Sequence, residues 1–290
     1  GAFLRRLQLP RTGETGRDRV LRGVAHRDGQ VLYAVDEGEG SRPILEVYDL
    51  ATDAVRRVEP PYFSHIYDLF WLGDRVVFED GAHVHVLDIE TGWTRQLSTD
   101  WASLLDSDRL DRVLFHQNGL LSADVFLYAV STDDVTNVTS DTLYQGAASI
   151  NGQHVAYGLA HNCPDRTPWD GCSNFDVLVR DLSTSSDQSL TDTPDRVEAG
   201  PSIRGDLVAY FTVGDGLYVH NLARGTTVRL AARTQATTSP AEANVHDLQL
   251  GGHAVYYTLR VYPLDTSASN TMLRYDLDCH CRARPDACPL

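Results

Sequence analysis

The chain contains no lysine: all 25 of its basic residues are arginine. Lysine chemistry is therefore closed to it, whether a Schiff base, a lysine general base or a lysine phosphate clamp. Forty acidic residues outnumber the basic ones and leave a formal net charge of −15. They are scattered along the chain, as on an acidic surface, and form no tail. Nucleic acid is a poor partner for such a surface, because phosphate binding wants clustered cations. An acidic membrane surface is disfavoured for the same reason. Long apolar runs are also missing. No stretch nears the roughly 18 residues of a membrane span, so no membrane insertion is expected. GxSxG, HExxH, P-loop and GxGxxG motifs are absent, so no motif names a catalytic residue, a metal or a cofactor. No signal peptide is visible. The start at Gly1-Ala2-Phe3 without methionine fits a processed export product or one domain of a longer surface protein.

What is present suits a folded β protein. Hydrophobic residues make up 42% of the 290, enough for a sizeable core, and 13 tyrosines favour strands. Five cysteines fall in two groups. Cys163 and Cys172 bracket a short polar segment, and Cys279, Cys281 and Cys288 crowd the last dozen residues. Zinc sites favour paired CxxC units, which these spacings are not. Disulfides in an oxidising compartment are the expectation, which implies a periplasmic or extracellular location. The expected bridges are Cys163–Cys172 and Cys288 with either Cys279 or Cys281, which leaves one cysteine over.

A repeat decides the fold class. Short apolar runs, each with an aromatic residue, recur six times: QVLYAV, RVVFED, RVLFHQ, HVAYGL, LVAYFT and AVYYTL. Their aromatics are Tyr33, Phe78, Phe115, Tyr157, Tyr210 and Tyr257, spaced 37 to 53 residues apart. Turn words such as RDGQ, LGDR, INGQ and RGD precede most runs, where Gly and Asn supply the positive φ of a tight hairpin. A second strand follows with a shared ending, as in VYDLATD, VLDIETG, VRDLSTS and VHNLARG, and a third usually comes after it. Each unit thus reads as strands a, b, c and d with no convincing amphipathic helix between units. Four strands per 40–50 residues is the signature of an all-β, six-bladed β-propeller of four-stranded antiparallel blades. A large sandwich also uses short antiparallel strands, but it does not explain the return of the same turn words. The expected blades span about 18–61, 62–100, 101–143, 144–194, 195–240 and 241–278 of one domain. Residues 3–10, FLRRLQLP, are expected to close the ring as the outer strand of blade six, because Pro285 weakens the alternative, RARPDAC. Residues 279–290 are a cysteine-containing tail.

These runs resemble the TolB-like propeller repeats, with strand b of the form xDGxxVxY and strand c of the form LYVxDLxTG. The resemblance covers roughly residues 18–278 and is closest at VLDIETG, VRDLST and LYVHNL. It implies a fold and turn chemistry and no activity, since such repeats occur in enzymes, scaffolds and binding modules alike. Blade three departs from it: Ala129 replaces the usual Asp, and no turn glycine precedes Arg112.

Two constellations carry candidate chemistry. Ten residues before each strand-b aromatic, in the strand expected to line the central channel, stand Gly23, Asp68, Leu105, Ala147, Gly200 and Asp247. Asp68 and Asp247, with His65 and His246 nearby, could hold a metal or act as an acid/base pair. Equally, the aspartates could bond neighbouring amides and order the inner strands. The second constellation is the long b–c connection of blade four, with Asp165, Arg166, Trp169 and Asp170 between Cys163 and Cys172. Prolines and a bridge would stiffen it for recognition. The b–c connections of blades one and six are also long and fall at equivalent positions. Trp71, Trp93 and Trp101 are expected to pack between blades. The functional expectation is a non-catalytic binding or scaffold module that takes a protein or cell-surface glycan at one rim. The alternative is a metal-assisted polysaccharide lyase or hydrolase with its site at the channel.

Overall fold

Each turn word lies between two paired strands. The computed structural model describes residues 20–36, 43–58, 63, 65–118, 123–140, 143–161, 174–194, 196–213, 215–232, 243–251, 254–261, 269–283 and 288–289. The chain divides into two compact units, Gly1–Leu97 and Ser98–Leu290.

The first unit holds two four-stranded sheets. One comprises β1 (Val20–Arg27), β2 (Gln30–Asp36), β3 (Ile44–Asp49) and β4 (Val55–Val58). The other comprises β5 (Leu69–Leu72), β6 (Arg75–Glu79), β7 (Val84–Asp88) and β8 (Thr94–Gln96). The second unit continues with three more four-stranded sheets. These are β9 (Ala102–Ser107) to β12 (Asp134–Asn137) through β10 (Arg112–Asn118) and β11 (Ala123–Ala129); β13 (Tyr144–Asn151) to β16 (Ser186–Ser189) through β14 (His154–His161) and β15 (Asn174–Asp181); and β17 (Glu198–Arg204) to β20 (Thr226–Ala232) through β18 (Leu207–Thr212) and β19 (Gly216–Asn221). A sixth sheet has three strands among the described residues: β21 (Ala243–Gly251), β22 (Ala254–Val261) and β23 (Ser269–Asp276). All strand pairs are antiparallel meanders of the a-b-c-d kind. The proposed closing strand, 3–10, lies outside the described residues.

The six aromatics occupy equivalent places. Each is the fourth residue of its sheet's second strand. Tyr33, Phe78, Phe115, Tyr157, Tyr210 and Tyr257 face Glu46, His85, Phe126, Leu178, Tyr218 and Leu273 on the third strand. Phe115–Phe126 and Tyr210–Tyr218 stack at 5.5 and 5.6 Å, a cross-strand pairing that pins the register. Period-two alternation then sends neighbours on a strand to different cores. In the fourth sheet, Val155, Tyr157 and Leu159 pack with Leu114 and Val125 of the third sheet, whereas Ala156 packs with Val208 and Tyr210 of the fifth. Sheets one and two share a core of the same kind, with Leu32 and Leu45 against Leu69 and Phe78. Burying such a side chain is worth about 1.5–3 kcal/mol, so the stacked sheets stabilise one another.

In the five four-stranded sheets, the end that carries the a–b and c–d turns is built to one plan. The residue after strand c donates its amide to a carbonyl of the a–b turn: Leu50 to Gly29, Ile89 to Asp74, Val130 to Asp111, Leu182 to Gln153 and Leu222 to Asp206. The carboxylate ending strand c caps the next turn. Asp49 accepts from Ala51 and Thr52, Asp88 from Glu90 and Thr91, and Asp181 from Ser183 and Thr184. The third sheet, where Ala129 stands, takes its cap from across the turn instead: Asp111 accepts the amide and hydroxyl of Ser131, each at 2.7 Å. Its missing turn glycine is met by Arg109 at positive φ, in a turn whose amides of Leu110, Asp111 and Arg112 all donate to Asp108.

A short helix, α1 (Leu277–Ala283), follows β23 directly, in the tail and not between units. It buries Leu277, and Cys281 is bridged to Cys288 at 1.99 Å, folding the tail back so that Asn221 Nδ2 donates to Pro289 O. Seven residues carry too little periodicity for a helix to be read from sequence. Two expectations need correction: Trp93 and Trp101, expected to pack between blades, are exposed and join no core among the described residues. Trp93 lies under the Arg75 guanidinium at 4.9 Å, in a c–d turn, and Trp101 stands just ahead of β9. Among the described tryptophans, Trp71 packs against a hydrophobic core, that of the first unit.

Candidate functional site

The opposite end of each sheet carries the b–c connections and the links from one sheet to the next. Here strand a is bulged in every described sheet but the second. Pairing with strand b slips between Leu21 and Val24, at Leu105, between Gly146 and Ala148, between Ala199 and Ser202, and between Val245 and Asp247. In those five sheets the slip lies opposite or next to the aromatic of strand b, so the ten-residue step back from that aromatic lands on or beside a bulge. Gly200 at φ 61 and Pro201, which has no amide to donate, suit such a break in the ladder.

Asp68 immediately precedes β5, and its Oδ1 accepts the amide of Leu69 at 2.8 Å. Much of the residue faces solvent, yet protein around the carboxyl raises its pKa, and the Leu69 amide pulls the other way. His65 is exposed, with its ring 5.7 Å from that of Tyr67. The side chains of His246 and Asp247 lie outside the described part of β21, so no meeting of the two aspartates is described. Asp165, Arg166, Trp169, Asp170, Cys163 and Cys172 also lie outside the described residues. Their segment leaves from His161 at the end of β14 and returns at Asn174, the first residue of β15.

A different group forms in the b–c hairpin of the second sheet. Asp80, His83 and His85 bring one ligating atom each to within 4.8 Å of one another. Asp80 Oδ1 accepts the amides of Ala82 and His83 at 2.9 and 2.7 Å, and Oδ2 lies 2.9 Å from His85 Nε2. The His85 ring sits against Phe63 at 4.6 Å and Phe78 at 5.4 Å. Burial works to raise the Asp80 pKa, but the His83 and Ala82 amides and His85 outweigh it and hold the carboxylate below its ordinary value. Burial lowers the His85 pKa against the opposing pull of Asp80, which favours the neutral ring. The sequence signal was H-x-H, two imidazoles two residues apart and hence on one face of an extended segment. The ten-residue step back from Phe78 passed it over, because that step looked only at strand a.

Two further clusters stand at the same sheet end in the second unit. Trp101, 44% exposed, meets the buried His116 ring edge-on at 6.1 Å, and Tyr144 meets it from another side at 6.2 Å. Asn118 Oδ1 lies 2.9 Å from His116 Nε2, and burial keeps the His116 pKa low. At the base of the 162–173 segment, Asp176 Oδ2 lies 3.1 Å from His161 Nε2. Buried Glu198 accepts from Thr193 Oγ1 at 2.7 Å, while its Oε2 and the Asn174 Oδ1 are buried without a hydrogen-bond partner. Burial raises the Glu198 pKa, and the charge of Asp176 adds to that.

No family model and no curated protein matches this chain. Solved structures do. The chain is similar to the tricorn protease at a TM-score of 0.60 and 13% identity, over 91% of this chain and 32% of that one. It is similar to the oligogalacturonate lyase of Vibrio parahaemolyticus at 0.55 and 11%, over 87% and 79%. It is similar to the β-propeller domain of the Trilobed protease from Pyrococcus furiosus at 0.53 and 12%, over 83% and 80%. The chain thus spans about a third of the tricorn chain it matches. Identities this low establish the fold alone, and that fold is the β-propeller. The neighbours include proteases and a lyase, so the fold is compatible with catalysis as well as with binding.

Proposed function

We propose that the chain is a six-bladed, TolB-like propeller, exported from the cytoplasm, that binds a protein or cell-surface glycan at the sheet ends carrying its b–c connections. A single observation carries this reading: the clusters of Asp80, His83 and His85, of Trp101, His116 and Tyr144, and of His161, Asp176 and Glu198 stand at that end, while Asp49, Asp88, Asp108 and Asp181 at the other end cap turns. Exposed Trp101, backed by His116 and Tyr144, presents an indole face of the kind that anchors recognition surfaces. The 162–173 connection, anchored at His161 and Asn174, adds Asp165, Arg166, Trp169 and Asp170 as a loop stiffened by Cys163–Cys172. The Cys281–Cys288 bridge supports export to an oxidising compartment. Among the described residues, no helix is long and apolar enough to cross a membrane.

The test compares wild type with Trp101→Ala and with the double variant Arg166→Ala, Trp169→Ala on an oligosaccharide array and on envelope extract. Loss of a hot-spot side chain should weaken capture by about 2 kcal/mol with folding intact. Undiminished binding by both variants would overturn this location of the site. The second reading, a metal-assisted lyase or hydrolase, is favoured by Asp80, His83 and His85. Cleavage of any array glycan by wild type, lost on chelation, would establish it in place of the non-catalytic one.

A further inference from the structure

We propose that Asp80, His83 and His85 form a binding site for one divalent transition-metal ion of the zinc class, with a coordination position left open. The site stands whether or not the binding reading above is right.

The geometry is the first argument. A tetrahedral ion with bonds of roughly 2.0–2.1 Å holds its ligand atoms a little over 3 Å apart. Asp80 Oδ2 and His85 Nε2 are already 2.9 Å apart, and the third ligating atom lies within 4.8 Å of both. Binding requires side-chain rotation of His83 to close that difference.

Preorganisation is the second. Asp80 Oδ1 is fixed by two backbone amides, which leaves Oδ2 to point at the imidazoles. His85 is held by the rings of Phe63 and Phe78. Such second-layer contacts orient metal ligands and reduce the entropy lost on binding. A purely local role accounts for Asp80 as a turn cap and for His85 as its partner. It leaves the side chain of His83 unexplained, edge-on to His85 at 6.2 Å.

Donor chemistry is the third. Two imidazoles and one carboxylate suit zinc, cobalt or nickel, whereas calcium and magnesium want a shell of oxygens. No fourth ligating residue joins the group among the described residues. Structural zinc sites close their shell with four side chains, whereas three protein ligands leave room for water or for an oxygen donor of a bound molecule.

The test uses the full chain, stripped with EDTA and dialysed. Titration with zinc chloride should give one zinc per chain by calorimetry and a rise in Tm that calcium chloride does not produce. Cobalt(II) should give visible absorption bands of a tetrahedral site. Two variants keep the fold: His83→Ala removes a half-buried ring outside the hydrophobic cores, and Asp80→Asn retains the oxygen that caps the turn. Each should weaken zinc by at least tenfold and abolish the Tm rise and the cobalt bands, with circular dichroism unchanged. Absence of stoichiometric zinc in wild type would overturn the proposal. So would zinc bound equally well by both variants, since the ion would then sit elsewhere, for example at the histidine- and cysteine-containing tail.

Discussion

Asp88 and Asp80 belong to the same small sheet and end up in opposite employment. Asp88, where strand c meets strand d, gives Oδ1 to the amides of Glu90 and Thr91. Asp80, at the other end, accepts two amides on Oδ1 and turns Oδ2 to a histidine. The contrast recurs between Asp181, which caps the c–d turn of the fourth sheet, and Asp176 and Glu198 at the other end. At the end with the a–b and c–d turns, acids are consumed as caps, and residues at positive φ close the hairpins. At the b–c end, acids and imidazoles are buried beside one another, and some of their atoms have no partner in the protein. The first arrangement stabilises the fold. The second costs stability, which is the usual mark of groups retained for another purpose.

That difference can be broken by substitution. The largest effect is expected from Asp108→Ala at the turn end. The Asp108 carboxylate accepts three amides and the Arg112 guanidinium at 2.7 Å. Burial opposes its ionisation, but the amides of Asp111, Arg112 and Leu110 and the Arg112 side chain hold its pKa below the ordinary value. Removing it leaves partly buried donors without their acceptor, and urea unfolding should show a loss of about 2 kcal/mol. Because the folded pKa is depressed, this contribution is present above the unfolded carboxylate value and should fade as pH falls through the folded one. A variant as stable as wild type at pH 7 would remove the distinction between the two ends.

The next effect has the opposite sign. Glu198→Gln at the b–c end should gain on the order of 1 kcal/mol at pH 8, because it removes a buried charge with an unpartnered oxygen. The folded pKa of Glu198 is raised, so the folded state holds its proton longer than the unfolded chain does. Wild-type stability should therefore fall as pH rises from the unfolded carboxylate value through the folded one and then level off. That slope should be absent from the Gln variant. Destabilisation by Glu198→Gln at pH 8 would mean that this acid, like Asp108, belongs to the scaffold.

Three further substitutions sharpen the comparison. Gly225, at φ 63 in a c–d turn, has open space where a Cβ would go. Gly225→Ala should therefore cost only the backbone term, about 1 kcal/mol. Gly81, at φ 92 in the metal-site hairpin, would put a Cβ 2.5 Å from the Tyr67 ring. Gly81→Ala should cost more in thermal unfolding and should also disturb zinc binding, which Gly225→Ala should leave alone. Trp93→Ala, the smallest change, should remove only the contact with Arg75, worth about 0.5–1 kcal/mol, with no effect on ligand or metal.

Much of this was legible from the residues alone. Turn glycines, the aspartates that end strand c and the six aromatics placed every described sheet and fixed the equivalence of Tyr33 through Tyr257. These signals are local: a positive φ or a capped amide is decided within four residues. The pairing of Cys281 with Cys288 was left open against Cys279, because spacing cannot say which way a short helix turns its side chains. The rescue of the third sheet by Asp111 was invisible, since the substitute acid acts from 20 residues away. The bulges were hidden too, because register depends on the neighbouring strand. For that reason, counting back ten residues found a column of positions and no site. The zinc-class site was spelled out as D-x-x-H-x-H. It acquired meaning only when the β6–β7 hairpin turned Asp80 back onto His85 and the Phe63 and Phe78 rings fixed that imidazole. Sequence determined which segments become strands, because strand and turn propensities act between near neighbours. Which ionisable groups meet, and which are buried without partners, was decided by tertiary structure, because burial and charge proximity are properties of the space between strands.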